Sequence, residues 1–158
     1  MRLISILFIL ALAGMTFGHS AAILNGETED CFAGKTVHPA QVDVYIFDSM
    51  KAAHISTILT DLRMKMPKGD EQNVEAYSAA YDRLRSAVRK TQSLGHARSD
   101  EKGRFSFSNL PVGKRVLVVG LADREDELAY YASTRLTIGH SDNTAKLDFN
   151  AGTPCVSK

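Results

Sequence analysis

The sequence predicts a mainly β chain, a two-layer sandwich of about seven strands with an inserted α-helical hairpin. Three observations carry that prediction. Short segments alternate apolar and polar side chains with a period of two, separated by turns rich in Gly, Pro, Asn and Asp. One internal stretch alone, about 49–92, changes to the period of a helix. The chain has two cysteines, Cys31 and Cys155, near the two ends of the region beyond the N-terminal apolar segment.

The N-terminus sets the compartment. Arg2 is followed by an almost unbroken apolar run from Leu3 to Met15 and then by small residues, Gly18-His19-Ser20-Ala21. A positive start, an apolar run of this length and a small-residue exit are the parts of a secretory signal peptide. The run is shorter than the roughly 20 residues that span a bilayer. The expectation is a signal peptide over 1–21, cleaved somewhere from Gly18 to Ala21, and a single domain over 22–158. No membrane insertion is expected after cleavage. The remaining chain, about 137 residues, suits one core rather than two. Export implies an oxidising compartment, so Cys31 and Cys155 are expected to bond to each other. No Cys-x-x-Cys motif favours a metal or redox site.

Phe32–Val37 reads as a short strand ending at His38-Pro39. Val42–Phe47 is the next, with Val42, Val44 and Ile46 on one face and Tyr45 and Phe47 on the other. Asp48 or Ser49 is suited to cap the first helix. Ile55, Ile58, Leu59, Leu62 and Met66 then form one helical stripe, and Pro67-Lys68-Gly69-Asp70 ends it. Val74, Tyr77, Tyr81, Leu84 and Val88 form the stripe of a second helix, whose basic residues gather toward its C-terminal end. β character returns after Gly95. Asp100–Gly103 is a turn, Phe105 and Phe107 alternate inward, and Asn109–Gly113 turns again. Arg115–Leu121 is apolar on both faces and requires cover on both; the helical hairpin is the expected outer cover. Thr134, Leu136 and Ile138 share one face of the next strand, and Ala145, Leu147 and Phe149 one face of the last.

The stretch Arg98-Ser99-Asp100-Glu101-Lys102-Gly103-Arg104-Phe105-Ser106-Phe107-Ser108-Asn109-Leu110-Pro111-Val112-Gly113-Lys114-Arg115-Val116-Leu117 resembles the carboxypeptidase regulatory-like, or prealbumin-like and transthyretin-like, sandwich domains. Their pattern is an Asp-x-x-Gly turn, an aromatic strand, then Leu-Pro-x-Gly and a further strand. Ala33–Val37 with Ala40–Tyr45 resembles that family's opening strands. The resemblance implies an Ig-like or prealbumin-like sandwich, and it implies no peptidase. Arg115 stands where the family favours Tyr, and the insertion at about 49–92 replaces a short connection. The enzyme branch of the transthyretin-like proteins ends in Tyr-Arg-Gly-Ser; this chain ends Cys155-Val156-Ser157-Lys158.

Catalytic and metal motifs are lacking. His38, His54, His96 and His140 are isolated, no Gly-x-Ser-x-Gly elbow is present, and Gly34-Lys35-Thr36 lacks the remaining residues of a phosphate loop. Asp123–Glu127 is acidic but lacks the alternating order of a calcium loop. With 19 basic and 18 acidic residues, charge gives no case for nucleic acid. Neither a catalytic residue, a metal nor a cofactor is expected. Tyr130 and Tyr131 are the candidate ligand-binding pair, because adjacent strand residues face opposite ways and one ring would be free to stack on a sugar. The expectation is a non-catalytic secreted or periplasmic module acting through protein contacts, its partner an envelope protein. The alternative is a glycan-binding module.

Overall fold

The computed structural model describes residues 21–66, 72–123, 130–150 and residue 155. Among them are eight strands and two helices: β1 (Ala21–Phe32), β2 (Lys35–Val37), β3 (Asp43–Asp48), α1 (Ala53–Met64), α2 (Gln72–Lys90), β4 (Gly95–Arg98), β5 (Arg104–Pro111), β6 (Arg115–Ala122), β7 (Tyr130–Thr137) and β8 (Asn143–Asp148). The leader assigned to 1–21 lies outside the described residues except for Ala21, which is already in β1, paired with Pro111. None of the described helices is long and apolar enough to cross a membrane.

The eight strands form two sheets. β1 is the hub of the first. It pairs antiparallel with β5 and β2 and parallel with β8. The second runs β4-β3-β6-β7, antiparallel throughout. The expected Phe32–Val37 strand is in fact a hairpin. Phe32 ends β1, Ala33 and Gly34 turn at positive φ, and Lys35 opens β2.

The inner faces meet in one core. Leu24 of β1, Phe105 and Phe107 of β5, and Leu147 of β8 pack against Val44 and Ile46 of β3 and Val118 of β6. The expected inward sets of β3, β5 and β8 are therefore all buried. The strand that required cover on both faces has it. Phe47, Leu117, Val119 and Leu121 face outward from the second sheet and are buried under α1 and α2. The helical stripes do the covering: Ile55, Leu59 and Leu62 of α1, and Tyr77, Tyr81, Leu84 and Val88 of α2, are buried. Val74, at the start of the α2 stripe, is exposed. The architecture is a mainly β sandwich whose inserted hairpin forms a third layer.

Asp48 does not cap α1 directly. Its Oδ1 accepts from the Met50 N–H at 3.0 Å and its Oδ2 meets Lys114 Nζ at 3.1 Å, while α1 begins beyond Ala52 with no side-chain cap. The carboxylate thus ties the start of the insertion to the β5–β6 turn. That hydrogen-bonded ion pair holds its pKa below the usual carboxylate value.

Candidate functional site

The sulfur bridge is present. Cys31 near the end of β1 and Cys155 are bonded, with Cα atoms 5.4 Å apart and a sequence separation of 124. It joins the hub strand to the chain beyond β8, which lies beside β1 along Leu24–Glu29.

The structure separates the two candidate tyrosines. Tyr130 and Tyr131 stand on opposite faces of β7. Tyr131 lies among the residues buried beneath the hairpin, and its hydroxyl donates to the Leu59 carbonyl at 3.3 Å. Burial raises its pKa. Tyr130 is half-buried against the sandwich core. The one free ring expected from adjacency is not provided by Tyr131, because the hairpin covers the face that would otherwise have been outside.

Three of the four isolated histidines, and Asp100, are hydrogen-bonded within the framework. His38 Nδ1 meets the Thr28 carbonyl at 2.8 Å, His54 Nε2 meets Thr91 Oγ1 at 3.0 Å, and His96 Nε2 meets Asp43 Oδ1 at 3.2 Å. Asp100 Oδ1 accepts from the backbone N–H groups of Lys102 and Arg104 at 2.9 and 2.8 Å, and Oδ2 accepts from Arg104 Nε at 3.0 Å. Those bonds lower its pKa, the Arg104 backbone donor first. They also hold the turn in which Gly103 takes a φ of 72°. Buried Ser99 accepts from the Val42 N–H at 3.0 Å. Asn143 spans β8 and β1 by donating to the Ile23 carbonyl at 3.0 Å.

Of the acidic stretch 123–127, only Asp123 lies within the described residues. It accepts from the Tyr81 hydroxyl at 2.9 Å and lies 3.5 Å from Arg85. Among the described residues no group of three or more His, Cys, Asp or Glu is placed to hold a metal.

The first sheet leaves its outer face uncovered among the described residues. It bears an open groove of about 910 Å3, floored by the backbone around Gly26, Phe105 and Ala145. Asn25, Ser106 and Thr144 stand side by side across β5, β1 and β8, with Ser106 Oγ donating to Asn25 Oδ1 at 3.0 Å. Glu27, Arg104 and Lys146 continue the row. Arg104 is engaged by Asp100, and Lys146 by Glu29. Ala97 and Arg98 of β4 and Asp100 complete the lining, so the arrangement offers neutral donors and acceptors flanked by charges of both signs, a surface suited to a hydrogen-bonding ligand. Sequence reasoning missed these residues because they meet on β1, whose segment has no apolar alternation to mark it as a strand.

No protein-family model matches the chain, and no curated protein matches it. A solved structure, the pilus backbone RrgB from Streptococcus pneumoniae, is similar with a TM-score of 0.37 and 10% sequence identity, over 81% of this chain and 41% of that one. The chain therefore spans less than half the length of that protein. The described residues form a three-layer, disulfide-closed β-sandwich with a polar groove beside the first sheet.

Proposed function

We propose that the chain is a non-catalytic exported module that binds and scaffolds other proteins of the cell envelope through surface contact. One observation carries this reading: the side chains that chemistry would need are bonded into turns and strand junctions. Asp48, Asp100, His38, Ser99 and Asn143 each hold backbone groups of the frame. A side chain that fixes backbone geometry in the folded state gains rigidity and loses freedom to transfer a proton or attack a substrate. The bridge between Cys31 and Cys155 supports the exported setting, since such bonds persist in oxidising compartments.

The test uses the purified, processed protein. A saturable complex with one exported protein, formed at fixed stoichiometry and detected by sedimentation, supports the reading. Hydrolysis or group transfer on a panel of esters, glycosides, phosphoesters and peptides overturns it.

A second reading, a carbohydrate-binding module, is favoured by the polar row of Asn25, Ser106 and Thr144. Oligosaccharide binding that falls in Asn25→Ala and Ser106→Ala, while Tyr131→Phe leaves it unchanged, would select this reading and its groove. Binding that needs the Tyr130 ring instead would return the site to β7.

A further inference from the structure

The hairpin does not cover its sheet completely. Beside the edge strand β7, the α1 stripe Ala53, Ser56, Thr60 and Arg63 borders two adjoining hollows of about 580 and 380 Å3. The hollows share Ser56 and Arg135, so they adjoin in one furrow between α1 and the outer face of β6 and β7. We propose that this furrow receives an extended acidic segment of a partner protein.

Charge is the first argument. Arg115 and Arg135 line the upper hollow and Arg63 the lower, and no acidic side chain lines either. Arg83, Arg85 and Arg104 are paired, with Asp61, Asp123 and Asp100. Among the described residues Arg115 and Arg135 have no acidic partner. Two like charges on one sheet face repel each other, and a carboxylate between them removes that cost.

Spacing is the second argument. Arg115 lies opposite Thr137 and Arg135 opposite Leu117, so the two arginines are diagonal neighbours on one face. Diagonal positions in an antiparallel pair are about 7–8 Å apart. Alternate side chains of an extended peptide repeat every 6.6–6.8 Å or so. An acid at every second position therefore meets successive guanidinium groups, with Ser49, Ser56 and Thr137 as hydroxyl partners along the way.

The third argument is the edge itself. β7 ends the sheet, so one side of its backbone is unpaired within it. Ser133, Thr134 and Arg135 line the lower hollow and Arg135, Leu136 and Thr137 the upper, so the furrow follows β7 along its length. An extended segment lying along β7 meets charge and hydroxyl groups in succession, which favours a polypeptide over a compact oxyanion.

The inference rests on the protein-contact reading and gives that partner its chemistry. A labelled peptide of alternating Glu and Thr is titrated into the oxidised, processed protein. Saturable binding is expected, weakening severalfold between about 0.05 and 0.3 M salt as screening shortens. Arg115→Ala with Arg135→Ala is expected to cost about tenfold or more in affinity, while Arg89→Ala on the far helix leaves it unchanged. The arginines are exposed, and an unaltered thermal melt confirms that the variants fold. No binding, or binding that survives the double variant, overturns the proposal. So does tighter binding of inorganic phosphate or a sulfated oligosaccharide through the same arginines. An envelope partner retained by the double variant would sink this site while leaving the scaffolding reading in place. Loss of every partner by the wild-type protein would sink both.

Discussion

Replacing both cysteines, Cys31→Ser with Cys155→Ser, is expected to act mainly on the unfolded chain. In the folded protein, β1 and β8 are held together without the sulfur by parallel pairing from Leu24 to Glu29, and the Phe149 N–H donates to the Glu29 carbonyl at 2.8 Å. The native ends therefore stay close. The unfolded chain, by contrast, loses a cross-link with a sequence separation of 124. The loop-entropy relation gives about 5 kcal/mol for a loop of that size. Set against a typical total stability of 5–15 kcal/mol or so, that is a third or more of what holds the domain. Urea unfolding of the oxidised protein and the double variant reads the difference directly. At a slope of about 1–3 kcal/mol/M, the midpoint should fall by roughly 2 M or more. The slope should also rise, because a chain without the cross-link exposes more surface when unfolded. Equal midpoints and equal slopes would refute the reasoning. They would mean that pairing of β1 with β8 already restricts the unfolded chain as much as the bond does.

Three further outcomes rest on particular contacts. Leu84→Ala removes a fully buried side chain from the layer between hairpin and sheet and should cost about 2–5 kcal/mol. Helix and aromatic circular-dichroism signals should still melt together, and separate transitions would show that the hairpin is an independent appendage. Gly26→Ala drives a Cβ into the Phe105 ring and to 2.8 Å from the Ala145 carbonyl oxygen. It should destabilise strongly, and Phe105→Leu in the same chain should recover part of the loss; a thermal-melt double-mutant cycle showing additive effects would contradict this. The Tyr77, Tyr81 and Tyr131 hydroxyls have pKa values raised by burial, and Asp123 adds to the rise at Tyr81. Their neutral forms favour the folded state. That contribution is therefore present below the ordinary tyrosine pKa of 10.0 and is lost as pH climbs above it. Absorbance titration should show these phenols ionising together with unfolding, and three independent ionisations near the ordinary value would contradict the packing.

Side-chain periodicity made much of the fold legible. The 3.6-residue spacing of Tyr77, Tyr81, Leu84 and Val88 marks a helix with one buried face, and the doubly apolar run from Val116 to Leu121 demands cover on both sides. Those demands satisfy each other, so the third layer could be inferred before any coordinate. β1 left no such mark. Its inward set is Ala22, Leu24, Gly26 and Thr28, two of them small and one polar, and Asn25-Gly26 reads as a turn. It is a strand because β5 and β8 supply backbone partners on both sides, and because the Phe105 ring lies where Gly26 has no side chain.

By itself, the sequence determined the alternation that makes two sheets, the amphipathic stripes that make a hairpin, and the pair of thiols suited to an oxidising compartment. Tertiary structure alone decided which polar residues share a surface. Asn25, Ser106 and Thr144 lie more than a hundred residues apart at the extremes, and Arg63, Arg115 and Arg135 come from a helix and two strands. It also decided that Tyr131 is covered, because the hairpin lies across one face of β7. The physical reason is that local periodicity specifies which side of an element is buried, whereas a site forms from the other sides, whose neighbours are set by strand order and register.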